Sequence, residues 1–278
     1  MIIDSHSHAW AKWPYEPPVP DFESRGRAEQ LLFEMDRRGV DKAVLVSARI
    51  EHNPDNNDYC AECVRAHPDR LVQFADVDCS WMDTHHTDGA ADRLAEAAEK
   101  YELKGYTHYV GGQDGWFDTD EGGKFLDKNA ELNLIASWAV GSDFHPTLRA
   151  IARRYPSVIF LCHHMSAPPA AEPPPYPKLS EILKSAEVPN IYMKLSGFHY
   201  VSQTPWEYPY TDAHRIARAL YEHFGAERLC WASDYPPVSG FMTYQQALEV
   251  VRTHLTFIPD ADKDLILGLN MQRLLEER

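Results

Sequence analysis

Positive charge is scarce in this chain of 278 residues, which carries 27 Lys and Arg against 42 Asp and Glu. The formal net charge is -15 at pH 7. Nucleic acids and anionic membrane surfaces are held by clustered Lys and Arg. The composition therefore argues against a nucleic acid or a membrane as partner, and the expected ligand is a small molecule.

Long apolar runs and cysteines are also scarce. No run approaches the eighteen apolar residues of a membrane-spanning helix, and no basic segment followed by an apolar one precedes the first hydrophobic stretch. The five cysteines are an odd number, as expected of reduced thiols. Cys60 and Cys63 form a CxxC without a second pair, so two thiols on a short helix are favoured over a zinc or redox site. We expect a cytoplasmic protein that is neither exported through a signal peptide nor membrane-spanning.

Short apolar segments alternate with longer segments of helical periodicity, a pattern typical of βαβ units and a parallel sheet. The eight predicted strands are "MIIDSH", "KAVLVSA", "RLVQFADV", "LKGYTHYV", "LNLIASWA", "SVIFLCHH", "NIYMKLSG" and "RLCWASD". No break in composition divides the chain, so we predict a single (β/α)8 TIM barrel with elaborated βα loops over residues 1–278. The Pro-rich "APPAAEPPPYP" is interpreted as a stiff loop after the sixth strand, with an interdomain hinge as the alternative.

Reactive side chains concentrate where the predicted strands end, which is where barrel enzymes build their active sites. In a strand, His6 and His8 point to one face, where they converge on a metal ion or are simply solvated. Adjacent residues face opposite sides, so only one of His163 and His164 is expected in the barrel mouth. The other polar residues at this end are Arg49, Glu51, His52, His108, Lys194, Ser196 and Asp234. Singly each fits a structural role, but together they favour an active site.

Several motifs spread over almost the whole chain resemble the amidohydrolase-related family of the amidohydrolase superfamily, whose fold is a (β/α)8 barrel. They are "IIDSHSH", "NPDNNDYC", "HPDRLVQFADVD", "FLCHHMSAP", "NIYMKLSGF" and "RLCWASDYPPV". Within that family "KLSG", the His-x-x-x-Pro end of strand six and "SDYP" are most similar to the sugar-lactone and pyrone-dicarboxylate lactonase branch.

The resemblance implies roles for individual residues. His6 and His8 take the metal-binding or carbonyl-polarising position, and Asp234 is the base that activates water. His164 is identified as the strand-six histidine because it lies four residues before Pro168. Lys194 corresponds to the branch's strand-seven lysine, with a role in orientation or anion binding left open.

One position departs from the metal-dependent members of the wider family, which place a histidine at the end of strand five. This chain has Ser137 and Trp138 there. Three protein ligands plus water still make a catalytic zinc site. The expected cofactor is therefore one divalent ion, zinc or alternatively manganese, held by His6, His8 and Asp234. A metal-free site with carbonyl-polarising imidazoles is the other alternative.

Loops dense in aromatics and proline follow strands one and seven, namely "AWAKWPYEPPVPDF" and "FHYVSQTPWEYPY". They predict stiff walls around a ring or planar ligand, such as a carboxylated ring or a sugar lactone, or alternatively an interface in a homo-oligomer. The candidate wall residues are Trp10, Trp13, Trp206 and Tyr208. Arg49 and Lys194 are candidates for holding a substrate carboxylate.

The leading hypothesis is hydrolysis of a lactone or related cyclic ester by a water that Asp234 activates. A decarboxylase or hydratase of an aromatic or unsaturated acid is the second hypothesis, weakened by the missing strand-five histidine. The third is a catalytically silent barrel acting as a binding protein, against which the joint presence of His6, His8, His164 and Asp234 argues. His85 and His86, in a loop after strand three, are interpreted as solvated and receive no role.

Overall fold

The computed structural model describes residues 1–16 and 18–278. Within this part of the chain, eight parallel strands form one sheet in sequence order. The strands are β1 (Ile3–Ser7), β2 (Lys42–Val46), β3 (Leu71–Asp76), β4 (Gly105–Tyr109), β5 (Ile135–Ala139), β6 (Phe160–Cys162), β7 (Ile191–Leu195) and β8 (Leu229–Trp231). The sheet closes where Ser5 Oγ donates to the Trp231 carbonyl oxygen, 2.7 Å away, and Ser7 bridges Tyr235. The predicted (β/α)8 barrel is confirmed.

Helices alternate with the strands and cover the outer surface of the barrel. The α-helices are α1 (Ala28–Arg38), α2 (Asn56–Ala66), α3 (Ala90–Tyr101), α4 (Asp120–Glu131), α5 (His145–Arg154), α6 (Pro177–Leu183), α7 (Phe198–Val201), α8 (His214–Phe224), α9 (Tyr244–Glu249), α10 (Asp260–Asp264) and α11 (Asn270–Glu276). Wider π-helical turns over Val250–His254 and Leu265–Leu269 follow α9 and α10. Leu31 of α1 and Leu220 of α8 share one apolar cluster with Trp138 of β5, so burial of these faces holds the helices on the sheet.

A second apolar cluster fills the inside of the barrel. It contains Ile3, Val44, Val46, Phe74, Ile135, Leu161, Tyr192 and Cys230 from the strands, with Met271 and Leu274 of α11. At Gly105 of β4 a Cβ atom would lie 2.7 Å from Phe74 Cζ, so the glycine leaves room for that ring. The interior is therefore packed, and open space for a ligand lies at the carboxyl ends of the strands.

The Pro-rich segment after β6 is a loop of the same barrel, as predicted. Its Glu172 carboxylate accepts hydrogen bonds from the backbone N–H groups of Lys178 and Leu179, at 2.8 and 3.2 Å, in the first turn of α6. Cys60 and Cys63 lie on α2. Burial raises the pKa of the Cys60 thiol to about 12, and all five cysteines are free. None of the described helices is long and apolar enough to cross a membrane.

Candidate active site

Three side chains at or just beyond the ends of the first and last strands meet at the barrel mouth. His6 Nε2 lies 3.0 Å from His8 Nε2, and the two nitrogens lie 3.7 and 3.4 Å from Asp234 Oδ1. All three residues are buried, with at most 4 % of the surface of each exposed. The convergence of the two histidines, predicted from their spacing, is therefore present in the fold.

A break in the strand register aims the two histidines into the mouth. Ile3 packs inside the barrel, so strict alternation would point His6 and His8 outward. The pairing of β1 with β2 shifts between Asp4 and Ser7, which changes the phase of the side chains. The buried Asp4 carboxylate accepts from the backbone N–H of Ser233 and of His6, at 2.9 and 3.2 Å, and so fixes this bend beside Asp234.

Asp234 presents its two carboxylate oxygens to different partners. Oδ2 accepts a hydrogen bond of 2.7 Å from the Tyr200 hydroxyl, whereas Oδ1 faces His6, His8 and His164. Burial alone would raise the pKa of Asp234, but His164, His8 and Tyr200 together lower it to about 2. Asp234 is therefore a carboxylate at neutral pH. Tyr200, on α7, reaches this candidate site, although nothing in the sequence around it indicates that it contacts Asp234.

His8 is fixed by its surroundings in one tautomer. Its Nδ1–H donates to the Val46 carbonyl oxygen at 2.7 Å, which leaves the Nε2 lone pair facing the site. Trp10 stacks on the ring at 4.9 Å between centroids and donates its Nε1–H to the Ala48 carbonyl oxygen. Trp10 has no exposed surface, so it backs His8 and does not line a cleft.

Both histidines after β6 approach His6, which differs from the expectation that only one enters the mouth. The ring centroids of His163 and His164 lie 4.4 and 4.6 Å from that of His6. Strand pairing ends at Cys162, and residues 164–167 all have positive φ, so alternation no longer applies. His164 Nε2 faces Asp234 Oδ1 at 3.7 Å, and Ser196 Oγ lies 2.8 Å from its Nδ1.

Lys194 is fully buried behind His6 and contacts no open space. Its Nζ lies 3.1 Å from His6 Nδ1 and donates to Ser137 Oγ at 2.7 Å, and that hydroxyl lies 2.8 Å from His163 Nε2. Burial lowers the pKa of Lys194 to about 7. Ser137, where the wider family's strand-five histidine would lie, therefore joins a lysine and a histidine.

The residues at the mouth fit a divalent metal ion. One nitrogen from each of His6 and His8 and one oxygen from Asp234 lie within 4.8 Å of one another. Burial, and after it Lys194, lowers the pKa of His6 well below its usual range, so its imidazole is neutral, as a metal ligand must be. Two imidazoles and a carboxylate are a donor set that suits zinc and leaves a fourth position open.

A cleft of 540 Å³ meets the cluster at Tyr200, which lines the cleft and donates to Asp234. Its walls include Trp13, Tyr15, Arg25, Tyr200 and Phe241. Of the substrate residues predicted from the sequence, only Trp13 lies there.

The other predicted substrate residues lie elsewhere. Arg49 donates to the Pro54 carbonyl oxygen at 2.9 Å and lines a separate cavity. Trp206 is 76 % exposed, and Tyr208 packs against His254 at 5.1 Å between centroids. These residues lie in loops, and the periodicity of the strands does not predict where loop side chains point.

Comparison with known proteins places the chain in a family. A family model described as "Amidohydrolase" matches residues 3–276. L-fucono-1,5-lactonase from Burkholderia ambifaria is 27% identical over 246 residues, which are 84% of this chain and 80% of that protein. This relative supports the resemblance to the lactonase branch that the motifs indicate.

Solved structures show the same fold at lower identity. The crystal structure of a probable 2-pyrone-4,6-dicarboxylic acid hydrolase from Acinetobacter baumannii, with citric acid bound, has a TM-score of 0.79 at 20% identity and covers 99% of each chain. An amidohydrolase from Burkholderia multivorans with bound zinc matches with the same TM-score, 0.79, at 20% identity over 99% of each chain. Because the family model spans nearly the whole sequence and the barrel fold agrees, the chain belongs to the amidohydrolase family.

Proposed function

We propose that this protein is a metal-dependent lactonase, which hydrolyses a lactone or a related cyclic ester to the open hydroxy acid. The observation that carries the proposal is the convergence of His6 Nε2, His8 Nε2 and Asp234 Oδ1, 3.0 to 3.7 Å apart, beside an open aromatic cleft. The lactonase relative supports the choice of reaction within the family.

His6, His8 and Asp234 would hold one divalent ion, with zinc as the first choice and manganese as the second. Such an ion polarises a carbonyl oxygen and lowers the pKa of bound water. The Nδ1–H of His8 donates to the Val46 carbonyl oxygen, an arrangement that orients histidine ligands in metal sites. Zinc bound in the structure of the Burkholderia multivorans amidohydrolase supports the choice of metal.

Asp234 is the proposed general base. Its pKa of about 2 keeps it ionised, and Oδ1 is the oxygen that faces the cluster. It takes a proton from the water that attacks the lactone carbonyl carbon. As the bond between that carbon and the ring oxygen breaks, the proton passes to the ring oxygen, which becomes the hydroxyl of the product.

His164 is the proposed donor to the developing oxyanion. Ser196 lies at Nδ1, so in the tautomer in which its hydroxyl donates there, His164 carries its proton on Nε2. That nitrogen faces the same space as Asp234 Oδ1. A hydrogen bond from it strengthens as negative charge collects on the carbonyl oxygen, and so stabilises the transition state more than the substrate.

Lys194 is proposed as a positioning residue. It has no exposed surface, and its Nζ contacts His6 Nδ1 and Ser137 Oγ. As a neutral amine, which its pKa of about 7 allows, Lys194 accepts the Nδ1–H of His6, fixes the orientation of the ring and leaves the Nε2 lone pair facing the site. A substrate carboxylate would therefore meet Arg25 in the cleft and not Lys194 or Arg49.

The cleft favours a cyclic substrate with polar substituents. Trp13, Tyr15 and Phe241 offer ring faces, and Arg25 offers a guanidinium group. A sugar lactone and a carboxylated pyrone both carry these features. The strong negative charge of the chain and its five free thiols further support a small-molecule enzyme of the cytoplasm.

The test is a substrate panel with the zinc-loaded protein. Sugar lactones and carboxylated pyrones would be compared with aromatic carboxylic acids, following acid release and carbon dioxide separately. We expect ring opening of at least one lactone class, loss of that activity on chelation, and its return on adding zinc. Carbon dioxide release without ring opening would contradict the proposal and favour a decarboxylase.

A further inference from the structure

A second histidine cluster lies outside the barrel mouth. His85 and His86 follow β3, and His108 is on β4. His108 packs against Phe125 and Trp138 in the layer between strands and helices, at 5.8 and 5.7 Å between centroids. The three histidines share no residue with the cluster of His6, His8 and Asp234. The cluster is therefore separate from the proposed active site.

Hydrogen bonds at Nδ1 fix the protonation of each ring. His85 Nδ1 lies 2.8 Å from the Asp78 carbonyl oxygen, and His108 Nδ1 lies 2.9 Å from that of Val77. His86 Nδ1 lies 2.5 Å from Asp114 Oδ2. Carbonyl and carboxylate oxygens only accept, so each Nδ1 carries the proton, and each neutral ring keeps a lone pair on Nε2.

Ring nitrogens of the three histidines are brought together. His86 Nε2 lies 3.2 Å from His108 Nε2, and one ligand nitrogen from each of the three histidines lies within 4.8 Å of the others. Two lone pairs at this distance repel each other unless a proton or a cation lies between them. A single proton would serve only one pair of nitrogens, whereas a metal ion serves all three.

The geometry and chemistry suit a zinc-like ion. Zinc–nitrogen bonds of about 2.0–2.1 Å in a tetrahedron place two ligand nitrogens roughly 3.3 Å apart, close to the separation of His86 and His108. The carboxylate of Asp114 behind His86 is the usual outer partner of a zinc-bound histidine. The His86 ring is stacked between His85 and Trp116, at 3.7 and 4.4 Å between centroids, so His86 is already ordered, whereas His85 would have to turn out of this stack for its lone pair to meet that of His86.

We propose that His85, His86 and His108 bind a second divalent ion of the zinc class, with Asp114 as the residue that positions His86. The ion would tie the segment after β3 to β4 and to the segment around Asp114. The site is independent of the proposed lactonase reaction, because it shares no residue with the cluster of His6, His8 and Asp234.

The experiment uses the full chain, stripped by a chelator and titrated with zinc. A background variant, His6→Asn with His8→Asn, removes the first site. Metal content after gel filtration is measured in this background, alone and with His86→Gln or His108→Gln added. We expect one zinc ion per chain in the background variant, and none when His86→Gln or His108→Gln is added to it. His223→Gln, an exposed histidine of α8, is the matched control and should change nothing.

Two further readouts guard against misfolding of the variants. Asp114 is half exposed, so Asp114→Asn should fold, and we expect it to weaken zinc binding in the background about 10- to 100-fold. Cobalt titrated in place of zinc should give tetrahedral absorption bands that His86→Gln abolishes. The proposal would be overturned if the background variant bound no zinc, or if it still bound zinc after His86→Gln or His108→Gln was added. The contact between His86 and His108 would then be a histidine pair bridged by a proton.

Discussion

At the residue scale, the environment of Asp234 links its charge to Tyr200. The Tyr200 hydroxyl holds Oδ2, and His164, His8 and Tyr200 together keep the pKa of this buried carboxyl near 2. The proposed base is thus ionised over the whole physiological range, with its other oxygen directed at the cluster. The orientation of Asp234 by the Tyr200 hydroxyl can be tested directly by substitution.

Tyr200→Phe removes this hydrogen bond but keeps the aromatic ring in the cleft. We expect kcat for lactone hydrolysis to fall about 10-fold, the equivalent of a lost hydrogen bond to a charged group. Because the Tyr200 hydrogen bond lowers the pKa of Asp234, the acidic limb of the pH profile should move to higher pH. Rates at neutral pH test the fall in kcat, and rates measured down to about pH 2, with folding followed alongside, test the shift of the acidic limb.

Tyr221→Phe is the matched control, since Tyr221 on α8 also donates to an aspartate, Asp262, far from the cleft. It should leave both kcat and the pH profile unchanged. An unaltered pH profile in Tyr200→Phe would contradict the positioning role.

Sequence reasoning at this scale succeeded where strand periodicity applies and failed where it ends. The spacing of His6 and His8 predicts their convergence, although the register shift that aims them inward leaves no signal in the sequence. A left-handed turn begins at His164, directly after the extended His163, so the alternation rule gave a wrong result there. His85 and His86, interpreted as solvated, are half-buried, and their Nδ1 atoms are hydrogen-bonded.

At the scale of elements, the turn after β7 supports the turn after β6. Gly197 has φ +69°, and a Cβ atom there would lie 2.7 Å from His164 Cβ. The glycine of "KLSG" therefore allows the close approach of the two segments that carry Ser196 and His164. This provides a physical reason for the motif that indicated the lactonase branch.

Gly197→Ala should distort this approach. We expect a loss of about 1–3 kcal/mol in the free energy of unfolding, because the backbone is left-handed and the space is filled. Lactone hydrolysis should fall as well, since His164 is displaced. Chemical denaturation and initial rates measure the two effects.

Gly123→Ala is the control for the substitution itself. Gly123 lies in α4, and a Cβ atom there would meet nothing within 4 Å. The free energy of unfolding of Gly123→Ala should rise by up to about 1 kcal/mol, because alanine is a better helix former than glycine. Equal effects of the two substitutions would contradict the role assigned to Gly197.

The order of elements could be predicted from the sequence, but the loops could not. Apolar periodicity located all eight strands because each is buried on both faces. The loops after β1 and β7 have no such period. Their composition predicted aromatic walls, and Trp13 lies in the cleft, but nothing local separates it from the exposed Trp206.

At the scale of the whole molecule, burial keeps many histidines neutral. It lowers the pKa of at least six of them: His108 and His145 to about 3, His164 and His199 to about 4, and His6 and His163 well below their usual range. The unfolded chain binds protons at these sites below about pH 6.5, whereas the folded chain does not.

The metal-free protein should therefore lose stability as the pH falls from about 6.5 towards 4. Each such histidine contributes at most about 1.4 kcal/mol per pH unit. Asp4 and Asp76 act in the opposite direction, because burial raises the pKa of both carboxyls, that of Asp4 to about 6, but they are two groups against at least six. Denaturation in the presence of a chelator at several pH values measures how the free energy of unfolding depends on pH.

His145→Gln tests, at a residue outside the active site, whether buried neutral histidines cause the loss of stability at low pH. His145 lies between the hydroxyls of Ser185 and Ser166, at 2.7 and 2.9 Å, and α5 begins there. The variant should show a shallower dependence of unfolding free energy on pH, and His223→Gln should match the native protein. A slope that His145→Gln leaves unchanged would rule out this source of acid sensitivity.

The central claim is that Asp234, held by the mouth histidines and Tyr200, activates water for lactone hydrolysis. The measurement that tests it most directly is kcat/KM for the best lactone, compared between the native protein and Asp234→Asn, with zinc content and folding measured alongside. We predict a fall of about 10²- to 10⁴-fold in a folded protein, and no change in Asp36→Asn, which alters an exposed carboxylate. A folded Asp234→Asn with an undiminished rate would contradict the account.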